Sequence, residues 1–281
     1  MREPVRGRSG RAGAHEIIRE APHPPMVEPI LRVEHLSKVY EDGTRALSDV
    51  SFEVVRGEFL VIIGLSGSGK STLLRCVNRL VEPTSGRVVV DGRDVTAASR
   101  TELREIRRGI GMIFQQFNLV RRASVLTNVL TGDLGYVPPV WAVVNYFPPS
   151  AVGRAMGNLE RVGIADKAYG RASALSGGQQ QRVGIARALM QRPRLILADE
   201  PVASLDPALS HSILKYLEDL NRDEGMTILC CLHFLSLARR YGTRILALRD
   251  GRTVFEGRPA DIDDARFHEI YGERAEEVEI R

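Results

Sequence analysis

Two glycine-rich stretches of this chain each open a helical pattern, the way a backbone seats an anion, yet only one of them holds a lysine. "GLSGSGKS" (Gly64–Ser71) fits G-x-x-x-x-G-K-[ST]; it follows the apolar run "FLVII" and precedes the helical pattern "STLLRCVNRL". Gly64, Gly67 and Gly69 would let backbone amides approach phosphate oxygens, and the helix N-terminus adds partial positive charge. In that setting Leu65, Ser66 and Ser68 complete a nucleotide-binding loop. Lys70 neutralises the β- and γ-phosphates, Ser71 reaches Mg²⁺, and Thr72 helps to hold the phosphates. The bland alternative is a glycine-rich turn at a helix start, and the strand and helix on either side argue against it. With four lysines beside 35 arginines, the chain still places a compact ammonium here, which fits between phosphates differently from a planar guanidinium.

"RLILADEP" supplies carboxylates. Asp199 follows an apolar strand, where it would coordinate Mg²⁺ directly or through water, and the adjacent Glu200 could polarise an attacking water. Alone, such a pair reads as solvated acids at a strand end. Beside a lysine loop it reads as the second half of a phosphoryl-transfer site.

The elements that position these residues follow from apolar patterning. "ILRVEHLSKVY" alternates as a strand ending at Tyr40, and "ALSDVSFEVVRGEFLVIIG" reads as two strands joined by a turn at "RGE". "SGRVVVDG" is a short strand between turn signals. "RLILA", "MTILCCL", "RILALRDG" and "RTVFEG" are further strands, with helices between them giving a βαβ rhythm and a largely parallel sheet. Residues 119–190 differ in texture, being mostly helical ("SAVGRAMGNLERVGI", "GGQQQRVGIARALMQ"), and are expected to form a helical subdomain inserted into the sheet domain. Residues 1–28 and 273–281 are expected to be a disordered and a charged tail around one domain over 29–272.

Composition narrows the class. The net charge is +4, but residues 1–13 hold Arg2, Arg6, Arg8 and Arg11 against Glu3, so the remainder is nearly neutral and no broad nucleic-acid face is expected. Cys76, Cys230 and Cys231 fall in apolar segments without metal-ligand spacing, which suits a reducing compartment. The uncharged run Leu134–Gly153 has membrane length, but Pro138, Pro139, Pro148 and Pro149 leave only "VWAVVNYF" between them. Eight helical residues span about 12 Å, so a transmembrane role is rejected and the segment is kept as an apolar docking candidate.

Taken together, these residues resemble the ATP-binding-cassette ATPases, with "LSGGQQQRVGIARAL" similar to that family's signature sequence and the spacing agreeing over roughly residues 30–257. The resemblance implies an α/β P-loop NTPase with a mixed sheet core, an antiparallel β subdomain and an inserted helical subdomain. It also implies ATP and Mg²⁺ as ligands, and further roles. Tyr40 would stack on adenine. Gln115 of "FQQ" would sense the γ-phosphate and metal, His233 of "LCCLH" would contact the γ-phosphate, and Glu200 would serve catalysis. Ser204, Leu205 and Asp206 would lie at a dimer interface. Leu175, Ser176, Gly177, Gly178 and Gln179 would face a nucleotide held by a second copy, which explains why that loop needs no lysine. Each residue alone has a dull reading: a strand-end aromatic, a loop amide, a satisfied histidine.

Within the family, "GMIFQQFNLVRRASVLTNVLTG", "ERVGIADKAY" and "LILADEPVASLDP" look closest to the ATPase subunits of bacterial phosphonate importers. Importers of polar amino acids or methionine and, further off, an ABC ATPase working without a permease remain alternatives. An importer implies separate integral-membrane permease subunits, a periplasmic solute-binding protein acting indirectly, and a peripheral place on the cytoplasmic face of the inner membrane. Trp141, Tyr146 and Phe147 would either pack inside the helical subdomain or line a groove for a permease helix. Two departures stand out: "FLSLA" after His233 replaces a polar run with Phe234 and Ser236, and Gly184 sits where alanine is usual in the signature helix.

Overall fold

The computed structural model describes residues 28–138, 141 and 146–273. The two expected tails lie outside these residues apart from Glu28 and Glu273, as does most of "VWAVVNYF". β1 (Leu31–Val39) and β2 (Arg45–Val54) are antiparallel neighbours, and β2 alternates buried with exposed positions as a half-covered strand should. β3 (Phe59–Ile63) is buried at every residue, the mark of a strand covered on both faces. It therefore leaves β2 at the "RGE" turn and enters a different sheet. α1 (Lys70–Val77) follows the lysine loop. β4 (Ser85–Val90) and β5 (Arg93–Asp94) complete a four-stranded sheet of order β2-β1-β4-β5.

α2 (Arg100–Arg108) starts on a capping box in which Ser99 and Glu102 satisfy each other's backbone amides. It leads into β6 (Ile110–Ile113), a strand that the sequence reading passed over. β7 (Leu195–Ala198), β8 (Thr227–Cys231), β9 (Arg244–Arg249) and β10 (Arg252–Gly257) complete a six-stranded sheet of order β10-β9-β3-β8-β7-β6. Every pairing in it is parallel except β9 with β10. The expected mixed sheet core and antiparallel sheet are both present.

Between β6 and β7 lie α3 (Val125–Leu130), α4 (Pro149–Arg161) and α5 (Gly177–Met190), which pack on one another. α6 (Pro207–Glu224) begins with Asp206 as N-cap and Pro207 in its first turn, and ends at Gly225 in a left-handed conformation. α7 (Leu235–Tyr241) and α8 (Asp264–Tyr271) follow. Among the described residues, no helix is long and apolar enough to cross a membrane.

The period-two pleat sends β-strand neighbours to opposite faces, and two cores result. Phe59, Val61, Ile63, Ile196, Ile228 and Cys230 join the helices of 125–190 and α6–α8 on one face. Leu60, Ile62, Leu197, Leu229 and Cys231 join α1 and the antiparallel sheet on the other. The paired cysteines are thus buried apolar residues of two different cores, and all three cysteines are free thiols.

Gly184 lies buried in α5, and a Cβ built there meets no atom within 4 Å. Its glycine is not required by packing. Gly184→Ala is therefore expected to raise unfolding free energy by about 0.5–1 kcal/mol, read as a higher urea midpoint at unchanged slope.

Candidate functional site

The carboxyl ends of β3, β6, β7 and β8 lie side by side at one edge of the sheet, where open parallel sheets place their ligands. At the end of β3 the lysine loop turns on Gly64 (φ 143°), Gly67 (φ 81°) and Gly69 (φ 105°), the last of which is the N-cap of α1. Gly64 and Gly69 are fixed by crowding as well. A Cβ would lie 2.2 Å from the Leu248 carbonyl oxygen at the first and 2.5 Å from that of Ala46 at the second. At Gly67 it would meet nothing within 4 Å, so this turn of the loop faces open space.

Lys70 is buried, and its Nζ donates to the carbonyls of Gly64 (2.8 Å) and Leu65 (3.0 Å). Burial lowers its pKa, opposed by the nearby Glu200 and Asp199 carboxylates. Ser68 contributes a buried hydroxyl with no hydrogen-bond partner among the described residues. Ser71 Oγ donates to Asp199 Oδ1 at 2.6 Å, and Asp199 is wholly buried. Tyr40 stands half exposed with its hydroxyl 3.3 Å from Thr72 Oγ1.

Glu200 is where the separate strands meet. Its carboxylate accepts from Gln115 Nε2 (3.0 Å), pairs with His233 Nε2 (2.7 Å) and lies 3.9 Å from Lys70 Nζ. Its φ of 50° is unusual for a residue with a side chain and is the kind of local strain found at functional sites. The hydrogen bond from His233 is the main cause that holds its carboxyl below the usual range; burial opposes this, and the charges of His233, Lys70 and Arg75 add to it. Lys70, Ser71, Gln115, Asp199, Glu200 and His233 thus form one cluster.

The signature residues do not join it. Ser176 is the N-cap of α5: its hydroxyl accepts from Gln179 N (3.4 Å) while Gln179 Oε1 accepts from Ser176 N (3.0 Å). "SGGQ" is therefore a capping box, with glycines at its two inner positions. No hydrogen bond or ion pair among the described residues ties 175–179 to 64–72. Instead a Cβ on Gly178 would meet Leu209 Cδ1 at 2.8 Å, and one on Gly177 would meet Leu205 Cδ2 at 3.6 Å, so this turn packs on the segment containing Ser204, Leu205 and Asp206. Phe234 lies half exposed and lines, with Leu205, Val202 and His233, a cavity of about 220 Å³ next to Glu200.

Three further residues, not singled out from sequence, contact the cluster or the segments beside it. Arg75 Nη2 donates to Asp199 Oδ2 (3.1 Å); it lies one helical turn after Ser71 on the same face of α1, a spacing that could have revealed it. Lys38 Nζ sits 5.1 Å from the centre of the Tyr40 ring. Arg187 on α5 donates to the carbonyls of Phe117 (2.8 Å) and Asn118 (2.6 Å), consecutive residues with positive φ just after Gln115. Nothing in the sequence signals that link across some seventy residues. Of the aromatics singled out, Phe147 packs against the core, while Trp141 and Tyr146 meet edge to face at 5.2 Å and are exposed.

Residues 47–203 match the ABC transporter family. The chain is 53% identical over 252 residues to the phosphonates import ATP-binding protein PhnC of Bdellovibrio bacteriovorus, covering 89% of this chain and 97% of that protein. It is 50% identical over 251 residues to the PhnC of Shouchella clausii, covering 89% and 94%. Among solved structures it resembles the dimeric post-hydrolysis state of the ATP-binding cassette MJ0796 bound to ADP and Pi, with a TM-score of 0.73 and 36% identity over 82% of this chain and 98% of that one. The ADP conformation of the cassette MJ1267 gives a TM-score of 0.73 at 30% identity over 88% and 96%.

The lowered pKa of Glu200 has a signed consequence for stability. The fold prefers its carboxylate form, so this contribution is complete above the ordinary value of 4.5 and is lost as pH falls through the lowered one. The unfolding free energy of the wild type relative to Glu200→Gln should therefore hold steady from pH 7 down to the ordinary value of 4.5 and drop as the pH is taken below it. Urea unfolding of both proteins at several pH values checks this, and a constant difference contradicts it.

Proposed function

This chain belongs to the ABC transporter family, and on that premise we propose that it is the ATP-hydrolysing subunit of a membrane importer, driving phosphonate uptake through separate permease subunits. The convergence of Gln115, His233 and Lys70 on Glu200 carries the ATPase reading. The phosphonate reading rests on relatives about half identical over nine-tenths of the chain and named for phosphonate import. The ATPase domain on this reading is residues 29–272, with 119–190 as its helical subdomain.

Lys70 would release its two loop carbonyls and take the β- and γ-phosphate oxygens of ATP, with the open face at Gly67 and the unpartnered Ser68 hydroxyl receiving the rest. Loop residues 64–72 form this cradle and Tyr40 takes the adenine. The oxygen donors Ser71 and Asp199 suit Mg²⁺, which keeps most of its waters and needs only one or two protein ligands beside phosphate; Gln115, hydrogen-bonded to the neighbouring Glu200, would be the third residue at the ion. When bound, the ion would offset charge on the phosphates. Glu200 would polarise the attacking water, His233 would hold both that carboxylate and the γ-phosphate, and Gln115 would report whether the γ-phosphate is present.

The signature turn, Leu175–Gln179, would complete the site from a second copy, with Ser204–Asp206 at the interface. The closed state binds the γ-phosphate through both copies, so hydrolysis removes the shared contact and the assembly opens. A peripheral position on the cytoplasmic face of the inner membrane follows from partnership with a permease served by a periplasmic binding protein.

Glu200→Gln should retain ATP binding, slow turnover by ~10²–10⁴ and accumulate a two-copy species with Mg-ATP, whereas Lys70→Ala should lose nucleotide affinity instead. Equilibrium nucleotide binding, steady-state hydrolysis and light scattering separate the two phenotypes. For the solute, the reconstituted complex with its permease and binding protein should raise its ATPase rate on addition of an alkylphosphonate and not of methionine or polar amino acids. Stimulation by an amino acid alone would overturn the phosphonate reading while sparing the ATPase.

A further inference from the structure

The matched family region ends at residue 203, and α8 lies far beyond it in sequence. In space it reaches the site. Tyr271, the last residue of α8, donates its hydroxyl to the backbone carbonyl of His233 at 3.1 Å, although 38 residues separate them. That carbonyl is in an awkward place. The first intrahelical acceptor of α7 is the Phe234 carbonyl, which takes the amide of Ala238 at 3.2 Å, so the His233 carbonyl lies one residue outside the helix ladder. A polar backbone group in a part-buried setting needs a donor from elsewhere.

The donor is held rigidly. Phe267 and Ile270 anchor α8 in the core, and the Tyr271 ring lies against that of Phe267 with centroids 5.0 Å apart. Asp263 caps the helix, Arg249 Nη1 donates to the Glu269 carbonyl (2.7 Å), and Arg239 of α7 donates to the Ile262 carbonyl (2.8 Å) just before α8. The segment around His233 is thus tied on one side of Phe234 to α8 and on the other to the turn just before it. Phe234 itself is half exposed and offers no side-chain cap to α7, so it cannot do this holding.

We propose that Tyr271 is a positioning residue for ATP hydrolysis: its hydroxyl fixes the His233 backbone so that the imidazole stays on Glu200, making α8 part of the ATPase centre. The proposal rests on the role given above to His233. Tyr271→Phe removes one oxygen and keeps the ring against Phe267. In the full-length protein with Mg-ATP, kcat should fall about five-fold, the size set by one neutral hydrogen bond, with KM and equilibrium ATP affinity unchanged. In a His233→Ala background, single-turnover rates should show no further loss from Tyr271→Phe, because the residue through which it acts is gone.

Unchanged kcat in Tyr271→Phe, with only a lower melting temperature, would reduce the bond to a structural one and overturn the proposal. So would an equal loss in both backgrounds. Full activity of His233→Ala itself would instead refute the role of His233, a failure distinguishable because it appears before Tyr271 is touched.

Discussion

Parallel register between four strands decides where the charges of this protein meet. Ile113 of β6 pairs with Ala198 of β7, Ala198 with Cys230 of β8, and Ile62 of β3 with Cys231. All four strands therefore end at one level, and the next few residues of each supply Gln115, Asp199 with Glu200, His233, and the lysine loop. A slip of one residue would move Glu200 by about 3.3 Å along its strand, more than the tolerance of a hydrogen bond, and would also exchange the faces of every side chain on it. The split of Cys230 and Cys231 between two cores shows how closely the buried faces enforce that register.

Once brought together, the charges have to be satisfied, because a buried ion without partners is costly. Asp199 is covered by Ser71 and Arg75, Glu200 by Gln115 and His233, and Lys70 by two carbonyls of its own loop. Hydrogen bonds involving a charged group contribute about 1.5–3 kcal/mol each, and an arriving phosphate oxygen offers Lys70 an equivalent or stronger partner. Exchange of partners around a fixed ammonium thus requires little rearrangement of the cluster. The strain at Glu200, with φ of 50°, fits a carboxylate positioned for a ligand more than for its own backbone comfort.

Local chemistry was legible wherever sequence neighbours carry it. The strand-loop-helix around Lys70, the acidic pair at 199 and 200, and the continuous apolar strands of the central sheet could all be read directly. β6 was missed because its four residues, "IGMI", are too short to show a period, and a glycine interrupts the apolar run. That β2 and β3 part into different sheets was legible only in part: the turn between them looks like a hairpin, while the continuous apolar run "FLVII" already marks β3 as covered on both faces. Arg187 and Tyr271 escaped because each donates to a backbone carbonyl, and a carbonyl has no residue type to betray it.

The signature turn shows why one copy does not make a complete site on the proposed reading. Its capping box satisfies the Gln179 amide through a long contact of 3.4 Å, and no hydrogen bond among the described residues uses the Gly177 or Gly178 amide. Two amides and a weakly engaged hydroxyl at the start of a 14-residue helix make a seat for an anion that nothing nearby in the same chain fills. Glycine at 178 also lets the Leu209 side chain pack where a Cβ would stand. Gly178 thus seats the turn on the beginning of α6 through Leu209, and Gly177 seats it on Ser204–Asp206 through Leu205. Movement of this turn toward a phosphate must carry that segment with it, and only Pro201, Val202 and Ala203 separate the segment from the buried Glu200. On the proposed reading, a γ-phosphate bridging the lysine loop of one copy and this turn of another would thus pull on the segment that follows Glu200.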